Sequence, residues 1–182
     1  MRLLFVTGNK HKFMEAERIL KEHGISIDQF DLPHNEIRAE SCEEVARNSL
    51  HSLHRHIDVP FFVEDAGLFV KALNGFPGTF SAWVFKKIGN EGILKLMENK
   101  ENRDAVFRSA IGVFYNDESK ILSGEVKGKI APKAKGSEGF GFDPIFTPEG
   151  YKKTFAEDRR LKFINSHRKN ALDKMVHWLE TR

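Results

Sequence analysis

The chain has 182 residues, 40% of them hydrophobic and 30% charged, as expected of a single domain over residues 1–182 with a substantial core. Its formal charge of +3, from 29 Lys plus Arg against 26 Asp plus Glu, is too small to argue for non-specific nucleic-acid binding. A lone cysteine, Cys42, excludes an internal disulfide framework; no apolar run approaches a membrane span and MRLLFVTGNK lacks a signal-peptide pattern, so a reduced, cytoplasmic setting is expected.

In chain order, RLLFV reads as a first strand that turns at Thr-Gly-Asn into a helix over 10–22, with Phe13, Ala16, Ile19 and Leu20 on one face. ISIDQF alternates like a strand, and ESCEEVARNSLHSLHRH reads as a helix with Val45, Ala46 and Leu50 turned inward. FFV (61–63) is a third strand, followed by helical sequence from about 78 to 98. AVFRSAIGVFY and ILSGEVKGKI flank the turn signal NDES and predict a hairpin. From His167 on, Ala171, Met175 and Trp178 form the apolar stripe of a final helix. Helices alternating with strands early, and a hairpin late, predict a mixed α/β domain.

Binding sites in such sheets collect at strand ends. TGNKHK (7–12) offers side-chain hydrogen bonds, a close backbone approach at Gly8, lysines, and the free N–H groups of a helix start, all suited to phosphate; taken alone, these residues are read first as an ordinary cap, with Asn9 as N-cap and Lys10 and Lys12 in solvent. Glu64 and Asp65 interrupt an apolar run, where a carboxylate is costly without a compensating partner. GSEGFGFDPIF (136–146) mixes glycines and phenylalanines, either as a slot for a flat ring or as core filling at a strand-to-turn transition. In FINSHRKNA, Ser166 reads as an N-cap and Arg168 as a bidentate donor to a purine edge or a solvated side chain. His51, His54 and His56 lack a completing carboxylate and read as a polar helix end; Cys42, among polar residues, has no evident activating partner.

Together these segments resemble the inosine triphosphate pyrophosphatase (Ham1-like) family across essentially the whole chain. T-G-N-x-x-K is matched by Thr7 to Lys12, E-D-x-G-L-x-V-x-A-L-x-G-x-P-G by Glu64 to Gly78, and F-G-[FYW]-D-P-[IV]-F by Phe140 to Phe146. T-[FY]-A-E is matched by Thr154 to Glu157 and S-H-R by Ser166 to Arg168. Departures are Ala66, where the family usually has Ser or Thr; NEIR in place of P-E-I-Q, with Glu36 at the glutamate and Arg38 at the glutamine; and a run one residue short before S-H-R, which aligns Lys162 with the family lysine only if the gap precedes it.

The resemblance implies a mixed, curved central sheet with flanking helices and two lobes enclosing a nucleotide cleft. It implies Mg²⁺-dependent hydrolysis of ITP, dITP and XTP to the monophosphate and pyrophosphate, cleansing the nucleotide pool, by a homodimer with no membrane or nucleic-acid partner. By the same resemblance Asp65 is catalytic, Glu36 and Asp65 hold metal, and Thr7, Gly8, Asn9, Lys10, His11, Lys12, Phe140, Gly141, Phe142, Asp143, Lys162, His167 and Arg168 bind substrate. Two alternatives stay open: a Maf-like pyrophosphatase acting on pyrimidine or modified nucleotides, and a nucleic-acid-binding module built on the basic carboxyl-terminal residues and phenylalanines.

Overall fold

The computed structural model describes residues 1–33 and 37–182. Its elements begin with β1 (Arg2–Val6), α1 (Lys10–Lys21), β2 (Ser26–Phe30), α2 (Cys42–Leu53) and β3 (Phe61–Val70). β4 (Pro77–Gly78), α3 (Ser81–Leu96), β5 (Asp104–Tyr115) and β6 (Glu118–Ile130) follow. β7 (Phe146–Pro148), α4 (Arg160–Ile164) and α5 (His167–Glu180) come last. The described strands form a seven-stranded sheet in the order β2-β1-β3-β5-β6-β7, with β4 paired to β3. β1 runs parallel to β2 and β3, whereas β3, β5, β6 and β7 are successively antiparallel, so the sheet is open and mixed. The expected hairpin is β5–β6: Asn116 and Asp117 occupy its tip with φ of 50° and 60°, the left-handed conformation these side chains tolerate best after glycine.

The largest departure from the sequence reading is β3. Expected as Phe-Phe-Val alone, it runs ten residues, straight through both carboxylates. The reason is its partner: β5 pairs with it along its full length, from Phe61 opposite Phe114 to Val70 opposite Ala105. Side chains along a strand alternate between faces. Phe62 therefore packs with the α1 and α5 side chains, while Phe61 and Val63 pack with Leu50 and Leu53 of α2. The same alternation sends Glu64 toward α5 and Asp65 toward α2. Cys42, read as sitting among polar residues, is instead buried in a small cluster with Ala46 and Ala110. Beside Asp65, its thiol is pushed up by burial and by that carboxylate, which makes it inert.

The carboxyl-terminal helix is brought close to the sheet by a glycine. A Cβ at Gly124 of β6 would come within 2.4 Å of the His167 carbonyl oxygen and 2.4 Å of the Ala171 nitrogen. Only glycine lets the first turn of α5 lie this near the strand. α3 is a helix in two pieces, because Gly89 has φ 59° and ψ −162°. No described helix is long and apolar enough to cross a membrane.

Gly124→Ala should push the start of α5 outward and destabilise the protein by about 1–3 kcal/mol, the usual cost of overpacking. An unchanged Tm in thermal melts would contradict the close approach of α5 to β6.

Candidate active site

The turn after β1 is held by its own side chains. Asn9 caps α1, its Oδ1 accepting from the backbone N–H groups of His11 at 3.0 Å and Lys12 at 3.2 Å. The Asn9 N–H donates to Thr7 Oγ1 at 3.1 Å. The helix start thus spends most of the N–H groups that the sequence reading offered to a phosphate. What it holds out instead are side chains, above all Lys12, whose Nζ donates to the Glu64 carbonyl at 3.0 Å.

Arg168 supplies the partner that one of the two buried carboxylates, Glu64, requires. The reading of a solvated arginine is overturned: Arg168 is 1% exposed. Its Nε donates to Glu64 Oε2 at 3.0 Å and its Nη1 to Glu15 Oε2. Lys162, also buried, donates to Glu15 Oε1 at 2.7 Å and to Asp143 Oδ2 at 2.7 Å. Glu64 further accepts from Ser109 Oγ at 2.6 Å and lies 3.8 Å from the Lys12 ammonium. Burial works to raise the pKa of Glu64 and of Glu15, but the neighbouring cations outweigh it and hold both below the usual carboxylate range. Burial also works against the Arg168 charge, and its two carboxylates more than restore it. Asp143 goes the other way: its burial raises its pKa despite Lys162, which it shares with Glu15.

Two cavities meet above these groups. One, of about 290 Å³, is largely apolar and walled by Phe107, Phe140, Phe142, Phe85, His167 and Arg168. His11 stacks on Phe140 with centroids 5.0 Å apart, and His167 stacks on Phe107 at 4.7 Å. The turn beneath Phe140 needs Gly139 at φ 76°, since a Cβ there would come within 2.2 Å of Asp143 Oδ2. That oxygen also accepts the Phe140 N–H at 2.8 Å. The other cavity, of about 240 Å³, is polar and lined by Thr7, Gly8, Asn9, Lys12, Glu64 and Asp65 among others. Asn9, Lys12, Ala66 and Ala82 border both. A larger hollow of about 440 Å³ lies at the far end of α2, but its charged side chains are all exposed.

Most residues singled out in the sequence converge on this pair of cavities. Thr7, Gly8 and Asp65 line the polar one; His11, Phe140, Gly141, Phe142, Asp143, Lys162, His167 and Arg168 line the apolar one. Lys10 lines neither and is exposed. Glu36 lies outside the described residues. Sequence reasoning missed Glu15, which joins Lys162 to Arg168; its signal was the spacing of His11, Lys12 and Glu15 on one helical face. It also missed Phe107, together with Ser81, Ala82, Phe85 and Lys86 of α3, whose roles arise only through tertiary packing.

Among the described residues no group of three or more His, Cys, Asp or Glu is placed to hold a metal. Mg²⁺ needs only one or two protein carboxylates and completes its shell with phosphate and water. Both Glu64 and Asp65 are buried and line the polar cavity; Glu64 accepts from Arg168 and Ser109, and Asp65 stands beside the Cys42 thiol.

A ring-sized apolar slot opening into a polar, lysine-bearing compartment defines a small α/β protein built to hold a flat ring with an anionic tail. Comparison with known proteins agrees: residues 3–178 match the Ham1 family, and the chain belongs to it. It is 46% identical to a dITP/XTP pyrophosphatase of Methanopyrus kandleri over 98% of this chain and 96% of that one. It is 47% identical to a dITP/XTP pyrophosphatase of Thermococcus kodakarensis over 99% of this chain and 98% of that one. The solved Ham1 protein of Staphylococcus aureus superposes with a TM-score of 0.85 at 28% identity, covering 100% of this chain and 99% of the other.

His167 gives the site a signature in stability. Burial first, then the charges of Arg168, Lys162 and Lys12, hold its pKa well below 6.5. Below pH about 6.5 the unfolded chain therefore binds a proton at His167 that the folded chain refuses, and stability falls with acidification by up to about 1.4 kcal/mol per pH unit. In His167→Phe this contribution should vanish. The stability gap between wild type and variant, from urea melts at pH 7 and pH 5, should shift in the variant's favour on acidification; a gap independent of pH would contradict a neutral, buried His167.

Proposed function

We propose that the chain hydrolyses dITP, XTP and ITP to the monophosphate and pyrophosphate, removing them from the nucleotide pool. The observation that carries this reading is the junction of the two cavities at Lys12 and Ala66, with the buried cation Arg168 on one side and Asp65 on the other. The relatives' names, dITP/XTP pyrophosphatase, agree with it.

In this reading the purine enters between the aromatic walls, and the triphosphate extends past Lys12 toward Asp65. Hypoxanthine and xanthine carry a 6-keto acceptor where adenine carries an amino donor. Arg168 spends two of its five N–H groups on Glu64 and Glu15, which leaves three for that acceptor. The neutral His167 ring, whose Nδ1 is buried with no partner among the described residues, adds a further polar group. Adenine would meet these donors with an N–H of its own, a mismatch that such sites reject strongly. Asp65 accepts the proton of the attacking water.

Mg²⁺ belongs to the proposal, held by Asp65 and, through the family resemblance, Glu36. When bound it would neutralise charge on the phosphate oxygens. A homodimer also belongs to it, for which the exposed Phe76, Phe80 and Trp83 offer apolar surface. So does a cytoplasmic setting. The Maf-like alternative finds less support, because a small pyrimidine would leave much of the aromatic slot unfilled.

A panel of nucleoside triphosphates assayed for pyrophosphate release, with Mg²⁺ and with chelator, tests the reading. dITP and XTP should be turned over fastest and chelator should stop the reaction; a preference for pyrimidines would favour the Maf-like alternative. Asp65→Asn should lower kcat by about 10²-fold or more, and a variant retaining over about a tenth of wild-type kcat would remove Asp65 from its role. Lys12→Ala should raise KM for every triphosphate alike, because a phosphate contact is blind to the base. A change confined to one base would move Lys12 out of the phosphate compartment.

A further inference from the structure

Ser109 belongs to none of the motifs, yet its side chain reaches into the centre of the ion network. It lies on β5 opposite Ala66 of β3, on the strand face that carries Glu64, and is 0% exposed. Its hydroxyl donates to Glu64 Oε1 at 2.6 Å, while Glu64 Oε2 accepts from Arg168 Nε at 3.0 Å.

The two Glu64 oxygens are divided between two donors. A guanidinium and a carboxylate frequently close a two-point fork, two parallel N–H groups on two oxygens. Here the Arg168–Glu64 contact has one point only, and the second oxygen is turned to Ser109. The second carboxylate, Glu15, engages Nη1. Nη2, the group that would complete a fork with Glu64, has no partner among the described residues, and Arg168 lines the ring slot.

We propose that Ser109 is a positioning residue for base selection, holding Glu64 Oε1 so that Arg168 keeps Nη2 free for the base. The inference rests on the function proposed above. Without the hydroxyl, Glu64 Oε1 becomes a buried acceptor lacking a donor, a costly state that closing the fork with Arg168 Nη2 relieves. The arginine then stays buried and charged but offers fewer N–H groups to a 6-keto purine. Asp65 points to the opposite face of β3 and is untouched, so the defect should fall on base recognition rather than on the chemical step.

The test is steady-state pyrophosphate release from dITP and dATP by wild type, Ser109→Ala and Ser109→Thr, with Tm measured for each. Ser109→Ala should raise KM for dITP and narrow the dITP-to-dATP ratio of kcat/KM by about tenfold, the worth of one hydrogen bond, with kcat for dITP held within about twofold. Ser109→Thr retains the hydroxyl and should recover the ratio. Equal losses on both nucleotides, or a fall in kcat at constant KM, would mean that Ser109 only supports the fold, and an unchanged ratio in Ser109→Ala would overturn the proposal outright. Should Ser109→Thr fail to fold, the Ser109→Ala ratio decides alone. Wild type that releases no pyrophosphate from dITP would refute the proposed function itself, a result distinct from any of the variant outcomes.

Discussion

A single buried cation organises this molecule. Arg168, at the start of α5, cannot lie inside the protein without carboxylates around it, and Glu64 and Glu15 come from β3 and α1 to meet it. Glu15 in turn takes Lys162, and Lys162 takes Asp143. With Lys12 beside Glu64, the chain of contacts alternates in sign from Asp143 to Lys12. Buried pairs of this kind add little net stability, because desolvation offsets the attraction. Removing one member, however, strands a charge in a medium of low polarity, which is strongly unfavourable. The network therefore acts as a constraint: it fixes how β3, α1, α5 and the turn after Phe140 sit around one cleft.

The second constraint is the alternation of a strand. Two adjacent carboxylates on a ten-residue strand must face opposite sides of the sheet, and here each side gives its carboxylate a different task. Glu64 meets the cations beneath the apolar slot, and Asp65 lines the polar compartment. Pairing with β5 along the whole of β3 makes that division rigid. Ala66, next in line, has the small side chain found where the two cavities meet.

Much of this was legible in the sequence, because it is written in local patterns. The helix faces of α1, α2 and α5, the caps at Asn9 and Ser166 and the β5–β6 hairpin follow from periodicity and turn chemistry. The segments carrying Thr7, Asp65, Phe140 and Arg168 were recognisable and do converge. What was not legible depends on partners distant along the chain. Phe-Phe-Val looked like a complete strand because the sequence alone does not reveal how far β5 pairs with it. A solvated Arg168 is an open reading of the sequence because its carboxylates lie 104 and 153 residues away. Ser109, Phe107 and the α3 wall gave no local sign at all. At Asn9 the two sequence readings compete for the same groups, because the cap consumes the N–H groups of His11 and Lys12 that a phosphate would need.

The depth of the Arg168 network also separates two responses to ionic strength. Dissolved ions screen charges that water reaches and leave enclosed pairs nearly untouched. Arg168, Lys162, Glu64 and Asp143 are enclosed, whereas Lys86 at the wall of the apolar slot is exposed. On the proposed function, salt should consequently weaken the long-range pull on a polyanion approaching the cleft while leaving the sorting of rings inside it unaltered, so that capture and discrimination would answer to different properties of the solution.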